Sequence, residues 1–132
     1  MYRCVGGLLL AVLALAGCNL GAAAEPTSAP TPDIPRVEFL APANGATIVE
    51  GAELTVDIIA RDESAGITQI AFLVDEVVQL TAEPENGVVS DFRVETNWFA
   101  SGVGRHLLSV IAFRADGTQS MPADLVIQVV AP

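Results

Sequence analysis

The amino-acid sequence predicts an all-β protein whose main part is an antiparallel β-sandwich of about seven strands. Beyond Arg36, short runs of alternating apolar and polar residues repeat, and turn residues interrupt them about every eight to twelve positions. No run beyond Arg36 shows the period of a helix. Spacing of this kind is typical of sandwiches and small barrels.

The alternation also predicts which side of each strand is buried. Leu54, Val56 and Ile58 alternate with polar neighbours, as expected for a strand with one face in the core. Asn86-Gly87 is a strong turn signal between the fourth and fifth strands. The expected strands cover residues 37–40, 54–60, 70–74, 77–80, 92–98, 108–112 and 125–129.

Residues 1–17 have the composition of an export signal helix. Arg3 supplies a positive start, and an apolar run follows from Val5 to Ala16. This run is shorter than the roughly 20 residues that a membrane-spanning helix needs. The sequence therefore predicts a leader.

The leader ends in Leu15, Ala16, Gly17 and Cys18, which resemble the lipobox of bacterial lipoproteins. The resemblance implies cleavage after Gly17 and acylation of Cys18, which becomes the mature N-terminus. It also implies an extracytoplasmic protein, lipid-anchored to the cell membrane or the outer surface. The membrane is thus one expected partner. The alternatives to a lipoprotein-type leader are an ordinary export signal or a membrane helix that merely contains a cysteine.

Residues 18–35 predict a disordered tether. This segment is rich in Ala, Pro, Thr and Ser, and its prolines block both helix and sheet. We expect it to act as a spacer between the acylated cysteine and a sandwich domain at residues 36–131.

Composition argues against nucleic-acid binding and against an enzyme. The chain has no Lys, and its formal net charge of −10 would repel polyphosphate. Beyond Cys18 there is no further thiol and no Tyr, and His106 is the single histidine. The usual nucleophiles and bases are therefore scarce, and no cofactor is expected.

Several short motifs resemble those of bacterial Ig-like domains. The turn 42–46 reads Pro-Ala-Asn-Gly-Ala, and the third strand ends in Phe72-Leu73-Val74-Asp75, with Glu76 where that family usually has Gly. Trp98 and the Gly-x-His-x-Leu pattern at residues 104–108 also match. The resemblance implies an immunoglobulin-like sandwich from Arg36 to Val130 and a structural role for His106, and it says little about a ligand.

One candidate site is a calcium site formed by acidic residues of two loops. Asp62-Glu63 follows the second strand and Asp116 follows the sixth, and in an Ig-like sandwich these loops share one pole. Carboxylate oxygens are ligands that Ca²⁺ prefers. The alternative is that acidic residues simply favour turns.

A second candidate is an apolar outer face. If Leu108, Val110 and Ala112 point inward, their neighbours along the strand point outward, and the same parity applies to two adjacent strands. Contiguous apolar patches often mark interfaces. The alternatives are a covering by the tether or a tilted strand whose second face is partly buried. The expected interface residues are Ala71, Leu73, Leu107, Ile111, Phe113 and Val126.

These observations favour a lipid-anchored, non-catalytic module of the cell envelope, for protein binding, self-association or structural display. A small envelope hydrolase or enzyme-accessory lipoprotein is the alternative from another class, and it requires a cleft lined by convergent carboxylates. Glycan binding is a further alternative, but sugar platforms need exposed aromatic rings. Trp98 shares its parity with Phe92 and Val94, which predicts packing in the core.

Overall fold

The chain folds into two β-sheets packed face to face, which confirms the predicted fold class. The structure is a computed structural model that describes residues 29–132. β1, β3 and β6 form a three-stranded sheet, and a five-stranded sheet has the order β2-β8-β7-β4-β5. The strands are β1 (Arg36–Ala41), β2 (Thr47–Val49), β3 (Glu53–Arg61), β4 (Gln69–Val74), β5 (Val77–Ala82), β6 (Asp91–Phe99), β7 (Gly104–Phe113) and β8 (Ala123–Val130).

The core between the sheets consists mainly of the residues whose parity predicted burial, together with Ile67 and Ala100, which lie outside the strands. Each fully buried Val, Leu, Ile or Phe side chain stabilises the fold by roughly 1.5–3 kcal/mol. Trp98 belongs to this core, as its parity predicted. The predicted inward residues that are buried are Val56, Ile58, Ala60, Ile70, Phe72, Val74, Val94, Leu108, Val110, Ala112, Leu125, Ile127 and Val129.

The sequence alternation did not reveal β2. This three-residue strand lies within a segment predicted only as a turn, and it pairs in parallel with β8 through Ile48 and Val129. Just before it, the Asn44 side-chain oxygen accepts a hydrogen bond from the Val126 N–H at 2.8 Å, and the Gly45 N–H donates to the Val126 carbonyl at 2.7 Å. The Asn-Gly turn therefore docks on β8 and starts the extra strand.

The contacts of the domain begin a few residues before β1. Asp33 accepts hydrogen bonds from Arg114 at 2.8 Å and from the Ser64 hydroxyl at 2.7 Å, and Pro35 is fully buried. The chain thus enters the sandwich at the pole where β3 and β7 end. Pro32–Pro132 forms one compact unit.

The predicted leader, the cleavage residues Leu15, Ala16 and Gly17, and Cys18 lie outside the described residues, as does most of the predicted tether. These assignments stay predictions. No helix in residues 29–132 has the length and hydrophobicity to cross a bilayer.

Candidate functional site

The six predicted interface residues lie together on the outer face of the five-stranded sheet. The register places Ala71 opposite Ile111 across β4 and β7, and Leu107 opposite Val126 across β7 and β8. Leu73 lies opposite Ser109, and Phe113 is the last outward residue of β7. Their neighbours along each strand point into the core, so these residues share the outward side.

The apolar surface extends to both edges of this sheet. On β2, Val49 pairs with Val130 and is 44% exposed. On β5, Val78 pairs with Leu73 and is 56% exposed. We call the outward residues of these five strands the five-stranded face.

Side chains at the centre of the five-stranded face partly bury one another. Ala71 is buried, and Leu73, Leu107, Ile111 and Val126 are half-buried. The apolar surface that solvent reaches at the centre of this face is therefore flat, without isolated projecting side chains. A surface of this shape suits flat packing against another flat surface.

Only two charged side chains project from the strands of this face, Arg105 on β7 and Asp124 on β8. Arg105 lies opposite Gln128, and Asp124 lies opposite Ser109. The pair Leu107–Val126 stands between them, two residues from each along the strand. The apolar centre is thus flanked by one cation and one anion on its two sides.

The acidic pole is organised around Arg114 rather than around a metal. Arg114 is 9% exposed, and its guanidinium donates to both carboxylate oxygens of Asp62, at 2.5 and 3.1 Å. The Arg114 hydrogen bond, with help from the N–H groups of Ala65 and Ser64, lowers the pKa of Asp62 to about 2. A cation therefore already neutralises Asp62.

The three predicted calcium ligands are not brought together as a cluster. Residues 29–132 contain no group of three His, Cys, Asp or Glu side chains placed to hold a metal ion. Asp62 binds Arg114, and Asp116 accepts a hydrogen bond from the Thr118 N–H at 2.9 Å within its own turn. Glu63 follows Asp62 in the exposed loop. Asp62 and Asp116 each accept hydrogen bonds from N–H groups of their own turns, and the calcium site stays a prediction.

Sequence reasoning missed the cluster of Asp33, Asp62 and Arg114. Its members lie far apart along the chain, in the segment before β1 and after the ends of β3 and β7. No local pattern links them. The one available hint was an Arg directly after a strongly apolar strand, where its charge needs a partner.

His106 joins two loops at the opposite pole. Its Nδ1 lies 2.6 Å from an Asp75 carboxylate oxygen, and its Nε2 lies 2.5 Å from the Gly102 carbonyl oxygen. Both partners are acceptors, so this geometry favours the ring that is protonated at both nitrogens. The Gly102 carbonyl and the Asp75 carboxylate raise the pKa of His106. The ring of Trp98 packs against it with centroids 5.6 Å apart.

An open groove of about 330 Å³ runs between the edge strands β5 and β6. Its lining is aromatic, aliphatic, amide and hydroxyl, and no carboxylate is among the groups that line it: Phe72, Gln79, Leu80, Thr96, Asn97, Trp98, Phe99 and Ser101. The hydrolase alternative required convergent carboxylates in a cleft. This groove therefore does not support that alternative.

Comparison with known proteins identifies the family. A family model described as a bacterial Ig domain matches residues 35–110. The chain belongs to the bacterial Ig domain family. The match covers β1 through most of β7, so it includes strands of both sheets and leaves out β8. A comparison with curated proteins finds no match.

Solved structures share the fold of this bacterial Ig domain at low sequence identity. The fibronectin(III)-like modules of Clostridium thermocellum CbhA are 24% identical, with a TM-score of 0.56 over 73% of this chain and 98% of theirs. The SrpA adhesin of Streptococcus sanguinis is 15% identical, with a TM-score of 0.56 over 78% of this chain and 60% of its own.

A CARDB domain from Pyrococcus furiosus, solved in complex with di-metal ions, is 10% identical, with a TM-score of 0.56 over 77% of this chain and 99% of its own. At such identities the likeness concerns the fold alone. The match to the bacterial Ig domain family is consistent with a non-catalytic module.

Proposed function

We propose that this bacterial Ig domain is a non-catalytic protein-binding module of the cell envelope, which a lipid on Cys18 holds outside the cytoplasmic membrane. The five-stranded face is the binding surface. The observation that carries this proposal is the set of outward apolar side chains between Val49 and Val78, which is interrupted by two charges and by the uncharged polar side chains Thr47, Ser109 and Gln128. Apolar patches of this extent on an otherwise acidic domain mark interaction sites.

The lipid anchor is supported by the order of segments along the chain. The lipobox-like residues 15–18 are followed by a proline-rich stretch, and the contacts of the domain begin at Asp33. Diacylation gives firm membrane attachment, which a single acyl chain does not. The pole opposite Asp33 and the sides of the sandwich then remain available to partners.

The anchor is tested by mass spectrometry of the protein isolated from bacterial membranes. We expect an N-terminal peptide that starts at Cys18 and carries the mass of its acyl chains. A Cys18→Ser variant should lose that modification and leave the membrane fraction. An unmodified Cys18, or a leader still attached to membrane-bound protein, contradicts the proposal.

The binding surface is tested by photo-crosslinking in intact cells. A photoreactive residue replaces Ile111 on the five-stranded face or, as the matched control, Ile59 on the outer face of the three-stranded sheet. Both are half-buried isoleucines of outward parity at mid-sheet. We expect protein adducts from position 111 and far fewer from position 59. Equal yields, or none from position 111, contradict protein binding through this face and favour simple structural display.

A further inference from the structure

We propose that the partner of the five-stranded face is a second copy of this chain, packed face to face about a twofold axis. The axis runs in the plane between the two sheets, across the strands, at the level of the Leu107–Val126 pair. This inference rests on the proposed function, because it names the partner of the same surface. The charges, the area and the chain length outside the domain each support it.

The charges of the five-stranded face are complementary to themselves. Arg105 lies two residues to one side of Leu107 on β7, and Ser109 lies two residues to the other side, beside Asp124 on β8. Rotation about the proposed axis reverses the strand direction. The Arg105 of one copy then lies over the Ser109–Asp124 pair of the other, and symmetry repeats the contact.

The reach of an arginine fits this arrangement. Packed sheets lie about 10 Å apart and neighbouring strands about 4.8 Å apart. An extended Arg105 spans that gap, so the only cation of each face meets the only anion of the other. Leu107 and Val126 pack against their own symmetry mates at the centre, where water is excluded.

Overall charge also selects this face for self-association. The chain carries a net charge of −10, so two copies repel each other. The five-stranded face is neutral, with one Arg and one Asp. Contact through it therefore avoids the like-charge repulsion that the rest of the surface would impose.

The area matches what a weak dimer needs. The five strands have 3, 8, 10, 6 and 6 residues, which is 33 in all. At about 4.8 Å between strands and about 3.3 Å along them, they cover roughly 520 Å². That plan area is about two thirds of the roughly 800 Å² that each partner buries in an interface of standard size, which fits a dimer with a Kd in the micromolar range.

The arrangement is compatible with lipidation of both copies. It places the two Asp33 residues at opposite ends of the dimer, because the strands of the copies run in opposite directions. Residues 19–32 span about 43 Å when extended at about 3.1 Å each. A ten-residue strand such as β7 is about 34 Å long. The tether is therefore long enough for one copy to point in the opposite direction to the other while both acylated cysteines remain in the same membrane.

The test uses the chain from Asn19 to Pro132, which omits the leader and Cys18 and retains the whole compact unit Pro32–Pro132. Sedimentation equilibrium up to about 200 µM should show a monomer–dimer equilibrium with a Kd in the micromolar range. Ile111→Thr should weaken the dimer at least tenfold. The matched control Ile59→Thr, on the other sheet, should change the Kd less than twofold.

A charge exchange tests the twofold geometry itself. Arg105→Asp leaves two anions facing each other, and Asp124→Arg leaves two cations, so each variant alone should be monomeric. An equimolar mixture restores both opposite-charge contacts within one dimer. We therefore expect the mixture to dimerise with nearly the affinity of the unsubstituted chain.

Three outcomes overturn the proposal. These are a monomer at about 200 µM, a dimer that Ile111→Thr leaves intact, and a mixture of the two charge variants that stays monomeric. If a chain from Pro32 dimerises while the chain from Asn19 does not, the preceding segment occupies the face, which also overturns it. In each of these cases, crosslinks from position 111 to another protein in intact cells would leave the proposed function standing.

Discussion

The outer faces of the two sheets differ sharply although they enclose the same core. The three-stranded face carries eight charged side chains, and the five-stranded face carries two. Both faces follow the same alternation, so their difference arises only from what the outward positions hold. The charged residues of the three-stranded face are Arg36, Glu38, Glu53, Asp57, Arg61, Asp91, Arg93 and Glu95.

Most charges of the three-stranded face are paired. Arg61 lies 3.4 Å from Glu38 with both side chains more than half exposed, whereas Arg93 is 62% exposed and binds the buried carboxylate of Asp57. An exposed pair such as Arg61–Glu38 contributes little to stability. This comparison teaches that the three-stranded face is suited to remain in contact with water. The five-stranded face has few charges, so its desolvation in an interface costs little free energy.

The largest effect should come from a charge pair that lies on neither face. Asp62→Ala removes the buried carboxylate that binds Arg114 through two hydrogen bonds and should lower the free energy of unfolding by about 3 kcal/mol, because only the exposed Asp33 then remains to compensate the buried guanidinium charge. Glu38→Ala, which removes an exposed partner of Arg61, should cost less than about 1 kcal/mol. Urea unfolding of both variants measures the contrast, and equal losses would refute it.

The same pair should control the acid limit of stability. The pKa of Asp62 is about 2 in the folded state, lowered from 3.8. A lowered folded pKa stabilises the fold at pH above 3.8, and this contribution is lost as the pH falls from about 4 to about 2. We expect about 2 kcal/mol of pH-dependent stability in this window. The Asp62→Ala variant should have a correspondingly flatter profile, and a parallel one would contradict the assignment.

A smaller effect compares the two faces directly. In dilute monomeric protein, Ile111→Thr and Ile59→Thr should each change the free energy of unfolding by about 1 kcal/mol, because both side chains are half-buried. Only Ile111→Thr should make stability less dependent on protein concentration, since only that face is expected to pair. Thermal unfolding at several concentrations separates the two. The same concentration dependence in both variants would remove the distinction between the faces.

The smallest effect concerns a charge held within the sandwich, in contrast to the solvated charges of the three-stranded face. The pKa of His106 is raised by the Gly102 carbonyl and Asp75, so its stabilisation is complete below pH 6.5 and is lost as the pH rises through the raised value. Trp98, the single tryptophan, packs on the ring, and its fluorescence should increase as the quenching imidazolium deprotonates. The midpoint should lie above 6.5. In Asp75→Asn it should fall, and an unchanged midpoint would argue against the contact.

Much of the fold was predictable because its signal is local. Alternation in β3, β4, β7 and β8 identified each strand and its buried side, since successive side chains point to opposite faces. The same parity placed Leu107 and Ile111 outward. It did not reveal β2, because three residues are too few for a pattern and the partner strand lies at the other end of the chain.

The sequence by itself determined the sandwich, its core and the parity of every long strand, because these depend on residues that are neighbours along the chain. Only the tertiary structure decided which residues that are distant along the chain come into contact. Arg114 binds both Asp33 and Asp62, and Arg105 and Asp124 flank the apolar centre of one face. Such contacts depend on strand order and register, which alternation within a single strand does not specify.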